Sequence, residues 1–182
     1  MCGSSAVFPR DGLIRIVMAE LSSTELHCVR AAEGWFELGN AREAEAELAK
    51  LATPVQLHPV VSELRWQIHA QRKQWKDCVV IARAMTRTAP SEPLGWIHLS
   101  YAQHELKRTQ EAWDNLIAVV DNFPKEPTMR YNLACYACQL GDLSEARRWL
   151  KKTFALGRKK ETKQMALQDL DLKPLWPEIE GM

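Results

Sequence analysis

Two cysteines, Cys135 and Cys138, stand three positions apart in the tract YNLACYACQLG, the one spacing in this 182-residue chain that invites a chemical reading. Paired thiolates bind zinc or cycle through a disulfide. Zinc needs four ligands, and no second Cys-x-x-Cys is present to complete the set. A redox pair normally sits at a helix N-terminus, where the dipole lowers the thiol pKa. Cys135 and Cys138 fall within a helical pattern instead, so structural thiols are the preferred reading, ahead of redox sensing and metal binding.

The five histidines, His27, His58, His69, His98 and His104, scatter over separate segments, and none neighbours a Ser or Cys in a nucleophile motif. The eight glycines fall mostly at turns, and none builds a phosphate-binding loop. The sequence therefore predicts no catalytic residue, no metal and no cofactor, and a protein that is not an enzyme. A formal charge of +1 supplies no global attraction to nucleic acid or to an anionic membrane. The odd, irregularly spaced set of five cysteines, with no secretory signal ahead of it, predicts free thiols and a cytoplasmic location. The apolar run over 13–19 is broken by Arg15 and falls well short of the roughly 20 residues a membrane span requires.

The element that must carry the two cysteines is the tract 127–156, which reads as a helix, a short turn and a second helix of matching length. Pro127, Pro93 and Pro59 are 34 residues apart, so the hairpin recurs. Gly141 stands where a left-handed C-cap is wanted, and Asp142 can cap the following helix. The small residues Ala44, Cys78, Ala112 and Ala146 share one position in the period, which predicts a close helix approach there and makes Cys78 a packing residue. Ahead of the first hairpin, Ser22 and Glu25 have capping-box spacing, so a helix should begin near Thr24 and stop at Gly39-Asn40, with Ala31, Ala32, Trp35 and Leu38 on its apolar face. Seven tryptophans distributed through every hairpin and the C-terminal tract predict core positions.

The expected organisation is an N-terminal extension over 1–24, four hairpins at about 25–58, 59–92, 93–126 and 127–160, and a cap over 161–182. Residues 1–17 lie outside the register and read either as an extension ahead of an alternative start at Met18 or as a short helix over 12–21 covering the first hairpin. In the last tract Leu167, Leu170, Leu172, Leu175 and Trp176 can cover the apolar end of an open array while charged neighbours face water.

These residues resemble the tetratricopeptide repeat family over roughly 25–160, with YNLACYACQLGDLSEARRWL the most specific run. The ending ALQDLDLKPLW is similar to the terminal segment that follows such repeats in bacterial proteins. Lys73 and Lys107 depart from the pattern, standing where glycine is usual. The resemblance implies an all-α, right-handed α-solenoid whose first helices line a concave groove for a peptide or helix of another protein. Carried over by register, the groove positions are Val29, Glu33, Phe36, Glu63, Gln67, Ile97, Tyr101, His104, Tyr131, Cys135, Cys138 and Gln139. The set of Lys, Asn and Arg by which some family members hold a terminal carboxylate is missing.

The function expected is thus a non-catalytic scaffold or adaptor with a protein or peptide partner and no membrane partner. Arg147, Arg148, Lys151, Lys152, Arg158, Lys159, Lys160 and Lys163 gather near the C-terminus, while Glu33, Glu37, Glu43, Glu45 and Glu47 gather near the start. This polarity and the paired thiols leave three alternatives: weak nucleic-acid binding by the basic cluster, a redox-regulated adaptor using Cys135 and Cys138, and salt-sensitive head-to-tail self-association.

Overall fold

A computed structural model of the chain describes residues 21–181, which are helical without a strand among them. The expectations for residues 1–17 lie outside the described residues. Four helical hairpins follow one another: α1 (Ser23–Glu37) with α2 (Ala41–Ala49), α3 (Pro59–Gln71) with α4 (Trp75–Thr88), α5 (Pro93–Glu105) with α6 (Thr109–Ile117), and α7 (Pro127–Gln139) with α8 (Leu143–Ala155). The chain ends in α9 (Lys159–Ala166), a 3-10 segment Leu170–Leu175 and α10 (Trp176–Gly181). Two compact units divide within α5, one ending at His98 and the other running on from Leu99.

The helix ends follow from their residues. Ser22 caps α1 through a complete capping box, its hydroxyl accepting from the Glu25 amide while the Glu25 carboxylate accepts from the Ser22 amide at 2.7 Å. Pro59 and Pro127 open α3 and α7, where the missing N–H has no intrahelical partner to lose. All four hairpin turns place one residue in the left-handed region, at Gly39 (φ 77°), Lys73 (φ 56°), Lys107 (φ 63°) and Gly141 (φ 88°). In each, that residue's amide and the next one reach back to the helix end, as in Gly39 to Phe36 O and Asn40 to Trp35 O, both 2.9 Å. This is a Schellman closure, which satisfies carbonyls the helix would otherwise leave open. Lys73 and Lys107 adopt the glycine conformation and bear its steric cost.

In the first unit Val29 and Ala32 of α1, Ala44 and Leu48 of α2, and Val61, Leu64 and Ile68 of α3 form one buried cluster, with Phe36 packed against it. The apolar face of α1 is therefore the 29/32/36 stripe. Trp35 and Leu38, expected on that face, are 38% and 77% exposed, Trp35 at the flank of the stripe and Leu38 at the C-cap beyond the last helical residue. Ala44, Cys78, Ala112 and Ala146 are each fully buried, as their shared position in the period predicts. Burial, with the Asp77 carboxylate adding, pushes the Cys78 thiol up to about 12. Among the tryptophans only Trp66 and Trp149 are fully in the core; Trp75, Trp96, Trp113 and Trp176 are half-buried. A ring too large for the gap between helices keeps its polar edge near the surface, as Trp96 does by donating to Pro90 O at 3.1 Å.

Candidate interaction face

The second unit holds half of the sequence-nominated residues, most of these on or against α7. Pro127 fixes the start of that helix, and residues 129 to 138 are buried all round it, so α7 is the central helix of the unit. Tyr131 and Cys135 are one turn apart and share a face. Against this face lies the C-terminal 3-10 segment. The Tyr131 hydroxyl donates to Asp169 Oδ2 at 2.8 Å, and the Cys135 thiol points at the same oxygen from 3.6 Å. The other Asp169 oxygen accepts the Asp171 amide at 3.0 Å, which caps the 3-10 segment.

Two residues further on, Asp171 Oδ2 lies 3.0 Å from His104 Nε2, and Gln139 donates to the Asp171 carbonyl at 2.9 Å. A carboxylate can only accept, so in the neutral imidazole Nε2 carries the proton and Nδ1 accepts from the Thr109 hydroxyl at 3.0 Å. The His104 ring also packs against Tyr136, with centroids 5.0 Å apart, and the Tyr136 hydroxyl lies 3.2 Å from Ser100 Oγ. Leu172 and Leu175 are fully buried, and the Trp176 indole donates to Ala166 O and Asp169 O. On the outer side Arg147 grips Glu178 with two hydrogen bonds, and Lys163 donates to Glu180 O at 2.7 Å.

Burial dominates the acid–base behaviour here. It raises the Tyr131 phenol far above its ordinary value, with Cys135 and the Asp169 carboxylate adding to the effect. Burial likewise raises the Cys135 thiol, followed by Asp169 and Asp171, and raises the Cys138 thiol, followed by Asp171. Thiols held protonated are poor nucleophiles and poor metal ligands. Cys28, Cys78, Cys135 and Cys138 are free, and among the described residues no group of three or more His, Cys, Asp or Glu is placed to hold a metal.

Of the positions expected to line an open groove, His104, Tyr131, Cys135 and Cys138 are thus buried, and Tyr131, Cys135 and His104 carry the chain's own segment. Gln139 is exposed but also committed to it. Tyr101 is half-buried, its phenol raised by burial and then by Glu105. In the first unit Val29 and Phe36 belong to the hairpin core rather than to an open surface, because the 29/32/36 stripe faces α2 and α3. Ile97 is also buried, while Glu33, Glu63 and Gln67 are half-buried, with Gln67 bonded to Glu63 and Glu63 to His98. The His98 ring stacks on Trp66 at 3.7 Å between centroids, a packing role for a histidine with no catalytic neighbour in sequence. Sequence reasoning misses Asp169 and Asp171. Their signal is the run Asp-Leu-Asp-Leu ahead of Pro174, of which the fold buries Asp169 and Leu172 and leaves Leu170 51% exposed.

Compared with solved structures, the chain is similar to MamA from Desulfovibrio magneticus RS-1, at 16% identity over 79% of this chain and 82% of that one, with a TM-score of 0.65. It is also similar to a thermophilic TPR protein of Thermus thermophilus, at 15% identity over 87% of this chain and all of that one, with a TM-score of 0.62. The fold is a tetratricopeptide-type α-solenoid. No family model matches the sequence, and no curated protein matches it either, so the tetratricopeptide-type architecture stands on helix arrangement and not on close sequence kinship. Among the described residues of this tetratricopeptide-type chain, no helix is long and apolar enough to cross a membrane.

Proposed function

We propose that this chain is a non-catalytic protein-interaction scaffold that receives a peptide or helix of a partner on the faces of its first helices. The observation that carries the reading is the one at α7: Tyr131, His104 and Gln139 hold a non-α segment through side-chain hydrogen bonds while leucines fill the apolar space beside it. Side chains on rigid helices that read carboxylates and a backbone carbonyl have the parts peptide recognition needs. The tetratricopeptide-type fold supports the same reading through its repeated hairpins.

The test is capture of partners by the purified chain with identification by mass spectrometry, followed by affinity measurement with Gln67→Ala and Tyr101→Ala introduced together. Affinity should fall at least tenfold with the helical signal retained. Equal affinity in the double variant defeats the first-helix assignment. Nucleic-acid binding by the basic cluster is the competing outcome, and it would show a steep loss of affinity with added salt. Against it, Arg147, Arg148 and Lys163 are already engaged with Glu178, Glu145 and Glu180, and Lys152 lies over the Trp149 ring at 3.9 Å.

A further inference from the structure

We propose that residues 169–175 act as an intramolecular stand-in for a ligand, and that the α7 face is a site for an acidic, leucine-bearing segment of the form Asp-x-Asp-Leu from another protein. The inference rests on the interaction reading above and specifies the partner's chemistry and its control.

The face is built from donors. The Tyr131 hydroxyl and the Cys135 thiol converge on one carboxylate oxygen, and His104 Nε2 meets the carboxylate two residues on, with the Gln139 amide donating to that residue's backbone carbonyl. Helix α7 carries no acidic residue at all, so nothing on it answers a cationic segment. Two carboxylates at a spacing of two, followed by a leucine that enters a closed apolar space, is the pattern that satisfies this set, and Asp169, Asp171 and Leu172 supply it. A carboxylate as buried as that of Asp169 is costly to desolvate unless donors surround it, so the face discriminates against amides and bases at that position.

Tethering sets the control. A segment joined to its own site acts at an effective concentration of about millimolar, so a foreign peptide competes only when it fits better or when the tethered segment is released. The same arithmetic favours a different protein over a second copy. Each copy of this chain has its own segment in place, so a swapped pair must open two sites, whereas a foreign segment opens one.

The experiment uses the full chain and a fluorescent synthetic peptide with the sequence of residues 167–177. In a full-length variant carrying Asp169→Lys and Asp171→Lys, the tethered segment no longer matches the face. This variant should bind the peptide at least tenfold more tightly than the unaltered chain does, and a peptide with both aspartates changed to lysine should bind at least tenfold more weakly. A folded variant that fails to bind, or that binds the two peptides alike, overturns the proposal. So does a dimer of the unaltered chain that the peptide dissociates, which would assign the face to the segment of a second copy.

Hydrogen exchange on the unaltered chain covers the case in which the variant does not fold. With millimolar peptide present, amides of 169–176 should exchange at least tenfold faster while those of α8 hold. Exchange of the segment unchanged by peptide would mean that it is a fixed part of the core, and would end the proposal. The broader scaffold reading survives that result if captured partners still depend on Gln67 and Tyr101.

Discussion

At the scale of single residues, the cysteines illustrate how burial overrides motif. Cys135-x-x-Cys138 has the spacing of a reactive pair, yet both thiols are buried and held above their ordinary pKa, Cys135 beside a carboxylate. We expect Cys78, Cys135 and Cys138 to resist alkylation at about pH 8 in the folded chain and to react on denaturation, with half-buried Cys28 reacting first among these four; site-resolved mass spectrometry reads the order. Fast labelling of Cys135 or Cys138 in the folded chain would contradict it. Tyr131→Phe removes the closest donor to a buried carboxylate while keeping the ring, and should cost about 1–3 kcal/mol of stability, measured by denaturant unfolding. Leaving the Asp169 oxygen short of a partner is the expensive part.

At the scale of elements, the four turns share one geometry but not one chemistry. Gly39-Asn40 and Gly141-Asp142 pair a left-handed glycine with a capping side chain, Asn40 accepting from Glu43 N at 3.3 Å and Asp142 from Glu145 N at 2.9 Å. Lys73-Gln74 and Lys107-Arg108 have neither feature. Lys73→Gly and Lys107→Gly should therefore each stabilise by about 0.5–1 kcal/mol, raising Tm by roughly 1–4 °C, because relief of the left-handed strain outweighs the added freedom of the unfolded chain. A fall in Tm for either would show that the lysine stem contributes packing that the turn geometry does not account for. Gly95 is the opposite case. A Cβ there would meet Met85 Cβ and the Thr86 backbone nitrogen at 3.0 Å each, and backbone cannot swing aside. Gly95→Ala should cost about 1–3 kcal/mol in the same assay.

At the scale of the whole molecule, the tryptophans rank the interior. Trp66, 2% exposed, should cost about 3–5 kcal/mol on truncation to alanine, and half-buried Trp96 clearly less, as comparison of their thermal melts will show. Equal losses would mean that Trp96 is buried more deeply than its surface indicates. Charge polarity along the chain is softened by local pairing: Glu45 faces His69 and Arg72, Glu47 holds Lys50, and Arg147 holds Glu178. The Glu178 carboxyl is lowered by its bonds to Arg147. A depressed folded pKa means that its contribution is present above the ordinary carboxylate range and fades as pH falls through the folded value. Arg147→Ala should accordingly lower Tm near neutrality and lose that effect in acid, with melts across pH as the check.

The architecture was legible in the sequence because it is written in periodicity: prolines 34 residues apart, a left-handed C-cap at Gly141, and a small residue at each helix contact all follow from local backbone sterics and close packing, whereas the left-handed turns at Lys73 and Lys107 break the glycine pattern and emerge only in the fold. The capping box at Ser22 and the packing role of Cys78 were readable for the same reason. Which first-helix side chains stay open was not readable, since register says which face a residue occupies but not what the distant chain lays over it. Tyr131 and Asp169 are 38 residues apart, and Asp171 meets His104 across 67. Only the folded chain brings those carboxylates to that face, because the breaks at Lys173-Pro174 and Trp176-Pro177 confine the tail to short helical pieces, and burial of Leu172 and Leu175 then sets where its acids land.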